Sequence, residues 1–122
     1  MKRINFKTAK LAVEKGYPPC KKKFYSPQFT KDGKAHTYSL GSHPRFCETY
    51  PALYQAELQE WLRNEHGVSV LIYLDETLSY IWTITGLHPQ ASIQEFHQSN
   101  EVWCGHYEDC LEDGLRTALS LL

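Results

Sequence analysis

Apolar and polar positions follow two rhythms along the chain, and each change of rhythm marks an element. Over "NFKTAKLAVEKGYPP" the residues Phe6, Ala9 and Val13 recur at helical spacing, and Leu11 and Ala12 widen the stripe. Gly16 followed by Pro18-Pro19 predicts where this helix stops. A helix of about ten residues does not stand alone in water, so it must dock on other structure. The rhythm then shortens. Phe24, Tyr25 and Phe29 lead into Asp32-Gly33, and His36, Tyr38 and Leu40 lead out, which predicts a hairpin turning at Asp32-Gly33. Pro27 would confine its first strand to an edge or a bulge.

"SHPRFCETYP" reads as a loop, and a long helix follows over 51–66. Pro51 suits the first helical position, with Thr49 or Tyr50 as the cap. Tyr54, Leu58, Trp61 and Leu62 form its core stripe, Gln55, Gln59, Arg63 and Asn64 face water, and Gly67 stops it. Residues 68–85 read as a hairpin of β-branched and aromatic residues turning at "DET". Val68, Val70, Ile72 and Leu74 lie on one face and Leu71 and Tyr73 on the other, which predicts central strands covered on both sides. Residues 86–100 read as a long loop with a short helical turn near "SIQEFH", and "EVWC" at 101–104 as a third strand. The last helix covers 107–122, with Tyr107, Leu111, Gly114, Leu115, Ala118 and Leu122 on one face. Its first two turns hold Glu108, Asp109, Glu112 and Asp113, where the helix dipole favours anions. Gly114 inside a helix costs about 1 kcal/mol against Ala and predicts a close approach to the sheet.

The elements sum to an α+β fold of a single domain over 1–122. A small antiparallel sheet of about three central strands, with an N-terminal hairpin beside it, packs with two main helices and a short N-terminal one. Residues 1–45 form the basic helix plus hairpin and 46–122 the α-β-β-β-α core. No apolar run approaches the ~20 residues of a membrane span. The basic start is interrupted by Lys7, Lys10, Glu14 and Lys15 and does not read as a secretory signal. The expected location is cytoplasmic, where Cys20, Cys47, Cys104 and Cys110 would be free thiols.

Charge changes the picture more than composition does. The net charge of −1 hides ten Lys/Arg against two acids in residues 1–34, a net of +8, and three Arg against twelve acids in 35–122, a net of −9. "CKKKFY" and "FTKDGK" interleave Lys with aromatics, as in surfaces that meet phosphates and stack bases. Lys21, Lys22, Lys23, Lys31 and Lys34 are therefore the candidate nucleic-acid contacts. The helix–strand–strand–strand–helix order of 51–122 is similar to the coarse topology of double-stranded-RNA-binding domains. Those domains hold phosphates with Lys at the start of the last helix, whereas the acids at 108–113 would repel them. The bland alternative is that residues 1–34 form a solvated basic surface, or pair with the acidic face of the same chain or of a neighbour.

"VWCGHYEDC" raises metal chemistry, because Cys104, His106 and Cys110 could be joined by His43 and Cys47. The candidate metal ligands are His43, Cys47, Cys104 and His106. The spacing lacks the C-x2-C or H-x3–5-H pair usual for structural zinc. Cys110 lies beside the Leu111/Gly114 stripe, where a small buried residue is expected, and His106 stands at the cap position. No local signature for nucleophilic or phosphate chemistry occurs. No cofactor is expected.

"FKTAKLAVEKGY", "ELQEWLRNEHGVSV" and "YEDCLEDGLRTALSLL" occur in an order that resembles a group of small uncharacterised phage- and prophage-like proteins of gut anaerobes. The middle segment resembles that group's Q-x-W-L-R-x-x-H helix on Gln59, Trp61, Leu62, Arg63 and His66. The end resembles its Y-E-E-A-L-E-x-G-L-x-x-A-L helix on Tyr107, Glu108, Asp109, Cys110, Leu111, Glu112, Gly114, Leu115, Ala118 and Leu119. Residues 86–100 depart most from the pattern. The resemblance implies a phage-like origin and supplies no activity; in it, neither Cys110 nor His106 is a ligand position. The expected function is that of a small accessory protein acting by protein–protein binding or self-association, without catalysis. Nucleic-acid binding through the Lys-rich third and a zinc-binding or thiol enzyme stay open as alternatives, and no membrane partner is expected.

Overall fold

The computed structural model describes residues 2–18, 27–37 and 50–122. The fold is α+β, and among the described residues it has three helices and two antiparallel sheets of three strands each. In chain order the elements are α1 (Phe6–Glu14), β1 (Pro27–Phe29), β2 (Ala35–Thr37), β3 (Tyr50–Pro51), α2 (Gln55–His66), β4 (Val68–Leu74), β5 (Tyr80–Gly86), β6 (His97–Gln98) and α3 (Tyr107–Leu121). They fall into two compact units, one of Met1–Lys2 with Gln55–Leu122 and the other of Arg3–Tyr54. The smaller unit carries ten Lys/Arg against three acids, a net of +7, and the larger three against eleven, a net of −8. The basic residues of the first 34 positions therefore fall, Lys2 apart, in the smaller unit.

In the basic unit, Asn5 caps α1 by accepting from the Thr8 amide at 2.9 Å. The helix ends with the amides of Tyr17 and Gly16 donating to the carbonyls of Ala12 and Val13, at 2.9 and 3.1 Å. That pair of bonds satisfies carbonyls that would otherwise be orphaned. Thr8, Ala9 and Ala12 form its buried face, with Phe6 half-buried and edge-on to Phe29 and Tyr50. The sheet order is β2-β1-β3, so β1 is central rather than an edge strand. Pro27 is tolerated because it is the first residue of β1, while β3 pairs only with Gln28 and Phe29. The strand β3 also corrects the expected start of α2. Pro51 pairs with Gln28 in the sheet instead of opening a helix, and α2 begins at Gln55.

In the acidic unit the sheet order is β4-β5-β6. Helix α3 packs on β4 and β5, and α2 packs on β4 and α3. The core holds Leu58 and Leu62 of α2, Val68 and Val70 of β4, Trp82 and Ile84 of β5, and Cys110, Leu111, Leu115, Ala118 and Leu119 of α3. Gly114 makes the expected close approach: a Cβ there would lie 3.0 Å from the Trp82 Cβ and 3.1 Å from a Val70 methyl. Gln55, expected in water, is buried and donates from Nε2 to the Glu108 carbonyl at 2.9 Å and to the Glu112 carboxylate at 3.2 Å. The indole of Trp82 donates to Asp113 at 2.8 Å. Two acids expected to serve the helix dipole thus bind neighbouring elements.

Other expectations need correcting. Strand β4 is an edge, not a central strand, and its outer half is uncovered. The third strand is His97–Gln98, not 101–104; Trp103 makes an isolated bridge to Tyr80. No helical turn forms at "SIQEFH"; Ala91 and Ile93 are buried in irregular chain. Tyr107 is exposed, edge-on to Tyr80 at 5.5 Å. His106 occupies the cap position of α3 without a side-chain cap bond, its Nδ1 3.7 Å from an Asp109 carboxylate oxygen.

Candidate protein-binding surface

The β4–β5 hairpin is built differently at its two ends. The register pairs Val68 with Gly86 through to Leu74 with Tyr80. Two bonds just beyond the ladder fix its polarity: the Leu87 amide donates to the Gly67 carbonyl at 2.8 Å, and the Asp75 amide to the Ser79 carbonyl at 2.9 Å. Residues 67, 69, 71, 73 and 75 therefore turn their backbone groups toward β5. Val68, Val70, Ile72 and Leu74 turn theirs outward. On β5 the same alternation aims Tyr80 and Trp82 at the other side, where Tyr80 exchanges bonds with Trp103 and the Trp82 carbonyl accepts from Ser99.

The outward groups of β4 are only partly satisfied. Gln59 of α2 reaches Val70 and donates to its carbonyl at 2.9 Å. Among the described residues no backbone partner meets the outward amides and carbonyls of Ile72 and Leu74. An open edge of this kind is a template for another strand. The side chains around it are apolar and exposed: Leu71 at 41%, Tyr73 at 50% and Leu74 at 56%. Val68 and Val70, on the same strand, are at most 2% exposed.

The turn adds Leu78, which is 74% exposed and holds φ at +60°. The loop is a three-residue one closed by the Leu78 amide on the Asp75 carbonyl at 3.0 Å. Its last position requires the left-handed conformation, in which a branched side chain costs roughly 1–2 kcal/mol. Asp75 organises the loop, its Oδ1 accepting from the Thr77 amide and hydroxyl and from the Ser79 amide at 2.9, 2.7 and 3.0 Å. The Thr77 hydroxyl and the Ser79 amide together hold the Asp75 carboxyl below its ordinary range. Strain at an ordered tip points toward function rather than folding. Asp75 and Glu76 are the charges at this tip; residues 68–74 carry none.

Of the residues singled out by sequence, Lys31 and Lys34 belong to the basic unit and Cys104 and His106 to the acidic one. Lys31 and Lys34 are exposed in the β1–β2 loop, beside a depression also lined by Thr30 and Asp32. The Asp32 carboxylate lies 4.0 Å from the Lys34 ammonium and dilutes the positive field there. Lys21, Lys22, Lys23, His43 and Cys47 lie outside the described residues. Cys104 is exposed with its sulfur 3.1 Å from the Ser79 hydroxyl, and it turns toward the hairpin loop rather than the core. Among the described residues no group of three or more His, Cys, Asp or Glu side chains is placed to hold a metal. Cys110 is fully buried, and burial, helped by Asp113, pushes its thiol from 9.0 up to about 11. It is a packing residue. Lys2 donates to Asp109 at 3.1 Å, and that bond raises its pKa.

Sequence reasoning named Leu71, Tyr73 and Leu74 but assigned them to a core. The usable signal was the leucine in "DETLS", at the loop position where glycine is at ease. Comparison with protein-family models, with curated proteins and with solved structures finds no match for this chain. Among the described residues no helix is long and apolar enough to cross a membrane.

Proposed function

We propose that the protein is a small accessory protein of phage-like origin that acts by binding another polypeptide, without catalysis. The observation that carries the reading is the outer half of β4, where the unpaired backbone groups of Ile72 and Leu74 sit among exposed Leu71, Tyr73, Leu74 and Leu78. Free donors and acceptors at this spacing recognise an extended main chain, and the alternating side chains recognise its apolar residues. The phage-like origin rests on the resemblance carried by Gln59, Trp61, Leu62, Arg63 and His66 and by the 107–119 segment. A cytoplasmic location accords with the free thiol of the exposed Cys104.

The test is an array of seven-residue peptides of alternating apolar pattern, probed with the labelled protein. A defined subset should be retained by the wild type and lost with Tyr73→Lys. Retention of the same peptides by the variant, or of none by the wild type, contradicts the reading.

A further inference from the structure

We infer that the strand received by the β4 edge is the β4 edge of a second copy, paired antiparallel about a two-fold axis at Tyr73. The inference rests on the binding reading of this surface and names its partner. Among the described residues Ile72 and Leu74 are the outward positions of β4 beyond its buried half: Val68 and Val70 are at most 2% exposed, Gln59 occupies the Val70 carbonyl, and the turn begins at Asp75. An amide and a carbonyl at each of two positions, spaced i and i+2, are their own complement under a two-fold rotation. Ile72 of each copy then exchanges both bonds with Leu74 of the other, and all four groups of these two positions are used. A longer foreign strand would have to displace Gln59, whereas a second copy is limited to the same short stretch by its own Gln59.

Charge fixes the direction. The stretch 68–74 is neutral and the acids Asp75 and Glu76 follow it. A parallel pairing would set Asp75 beside Asp75 and Glu76 beside Glu76, which is unfavourable for like charges across strands. The antiparallel pairing about Tyr73 sets Asp75 opposite Leu71 and Glu76 opposite Val70, with no like charges facing. It also brings the two exposed Tyr73 rings together at a non-hydrogen-bonded position, where side chains approach most closely. The product is a continuous six-stranded sheet made from two three-stranded ones. The interface is isologous, the commonest kind in soluble homodimers. It is short, so the dimer is weak and forms at high protein concentration.

Light scattering over a concentration series reaching about 1 mM tests this directly. The expected result is a monomer when dilute and a dimer when concentrated, with Tyr73→Lys raising the dissociation constant by about tenfold or more. Because position 73 faces itself across the axis, an equimolar mixture of Tyr73→Lys and Tyr73→Glu chains should dimerise more tightly than either variant alone. Tyr73 is half exposed, so thermal unfolding of each variant should match the wild type and separate lost pairing from lost folding. A wild type monomeric at the highest concentration, or a Tyr73→Lys chain that dimerises like it, overturns the inference. A monomer that still retains strand peptides on the array refutes self-pairing and leaves the binding reading intact; a monomer that retains none refutes both.

Discussion

Two hairpins in this protein turn by the same device and fill it differently. Between β1 and β2, the Thr30 amide donates to the Lys34 carbonyl and the Gly33 amide to the Thr30 carbonyl. Between β4 and β5, the Asp75 amide donates to the Ser79 carbonyl and the Leu78 amide to the Asp75 carbonyl. Each loop is a tight turn followed by one left-handed residue, at φ +87° for Gly33 and +60° for Leu78. Glycine is the conformational choice, and at position 33 it also leaves room for Phe6, whose Cδ1 would lie 3.3 Å from an added Cβ. Leucine at 78 gains no burial in return for its strain. The first turn is optimised for folding. The second gives up stability to hold an apolar side chain in solvent beside an open strand edge, the pattern expected of a binding surface.

The base and the tip of the β4–β5 hairpin should differ most in what they contribute to stability. Ile84, fully buried at the base of the β4–β5 hairpin, should cost about 3 kcal/mol as Ile84→Ala, measured by denaturant unfolding. Tyr73→Lys at the tip should shift stability by no more than about 0.5 kcal/mol. Equal effects at the two sites would erase the distinction between base and tip. At the turns, Gly33→Leu should destabilise by about 1–2 kcal/mol, because the left-handed position then carries a side chain that also meets Phe6. Leu78→Gly should stabilise by about 1 kcal/mol while weakening peptide retention. A destabilised Leu78→Gly protein would mean that Leu78 serves folding after all.

Much of the fold was legible, for reasons that separate residue by residue. The stripe Leu111, Gly114, Leu115 and Ala118 repeats at helical spacing, and the cost of Gly114 pointed to the contact with Trp82 and Val70 that the structure has. Asp32-Gly33 announced a turn, although the left-handed residue is Gly33 alone, in a three-residue loop. The start of α2 was misread because Pro51 suits a first helical turn and a strand end alike, and only the distant Gln28 decides between them. Strand β6 is His97–Gln98, two polar residues with no strand signature. The proposed binding surface was half legible. Alternation along "VSVLIYL" shows apolar residues on both faces, but hydrophobicity kept for a core and hydrophobicity kept for a partner read the same. Leu78 was the mark that distinguished them.

Two smaller effects depend on pH and reactivity. The folded Asp75 carboxyl titrates below its unfolded value of 3.8, so the stability it adds is present above that value. It is lost as pH falls further, through the folded pKa. The hairpin tip should loosen in that acid range, and Asp75→Asn should flatten the dependence in an acid titration followed by NMR. For Cys110 the folded pKa is the higher one, about 11 against 9.0, so its contribution is intact below pH 9 and is lost as pH rises toward 11. At neutral pH a thiol reagent should label Cys104 at once and Cys110 only on unfolding.

Residue-resolved amide exchange at low and high protein concentration shows whether the outer half of β4 is an open edge that a second strand covers. In dilute protein the Leu71 and Tyr73 amides, bonded to β5, should exchange slowly, and the outward Ile72 and Leu74 amides fast. In concentrated protein Ile72 and Leu74 alone should become protected as a strand covers them. Ile72 and Leu74 amides already as slow as Leu71 and Tyr73 in dilute protein would show a closed edge and contradict the account.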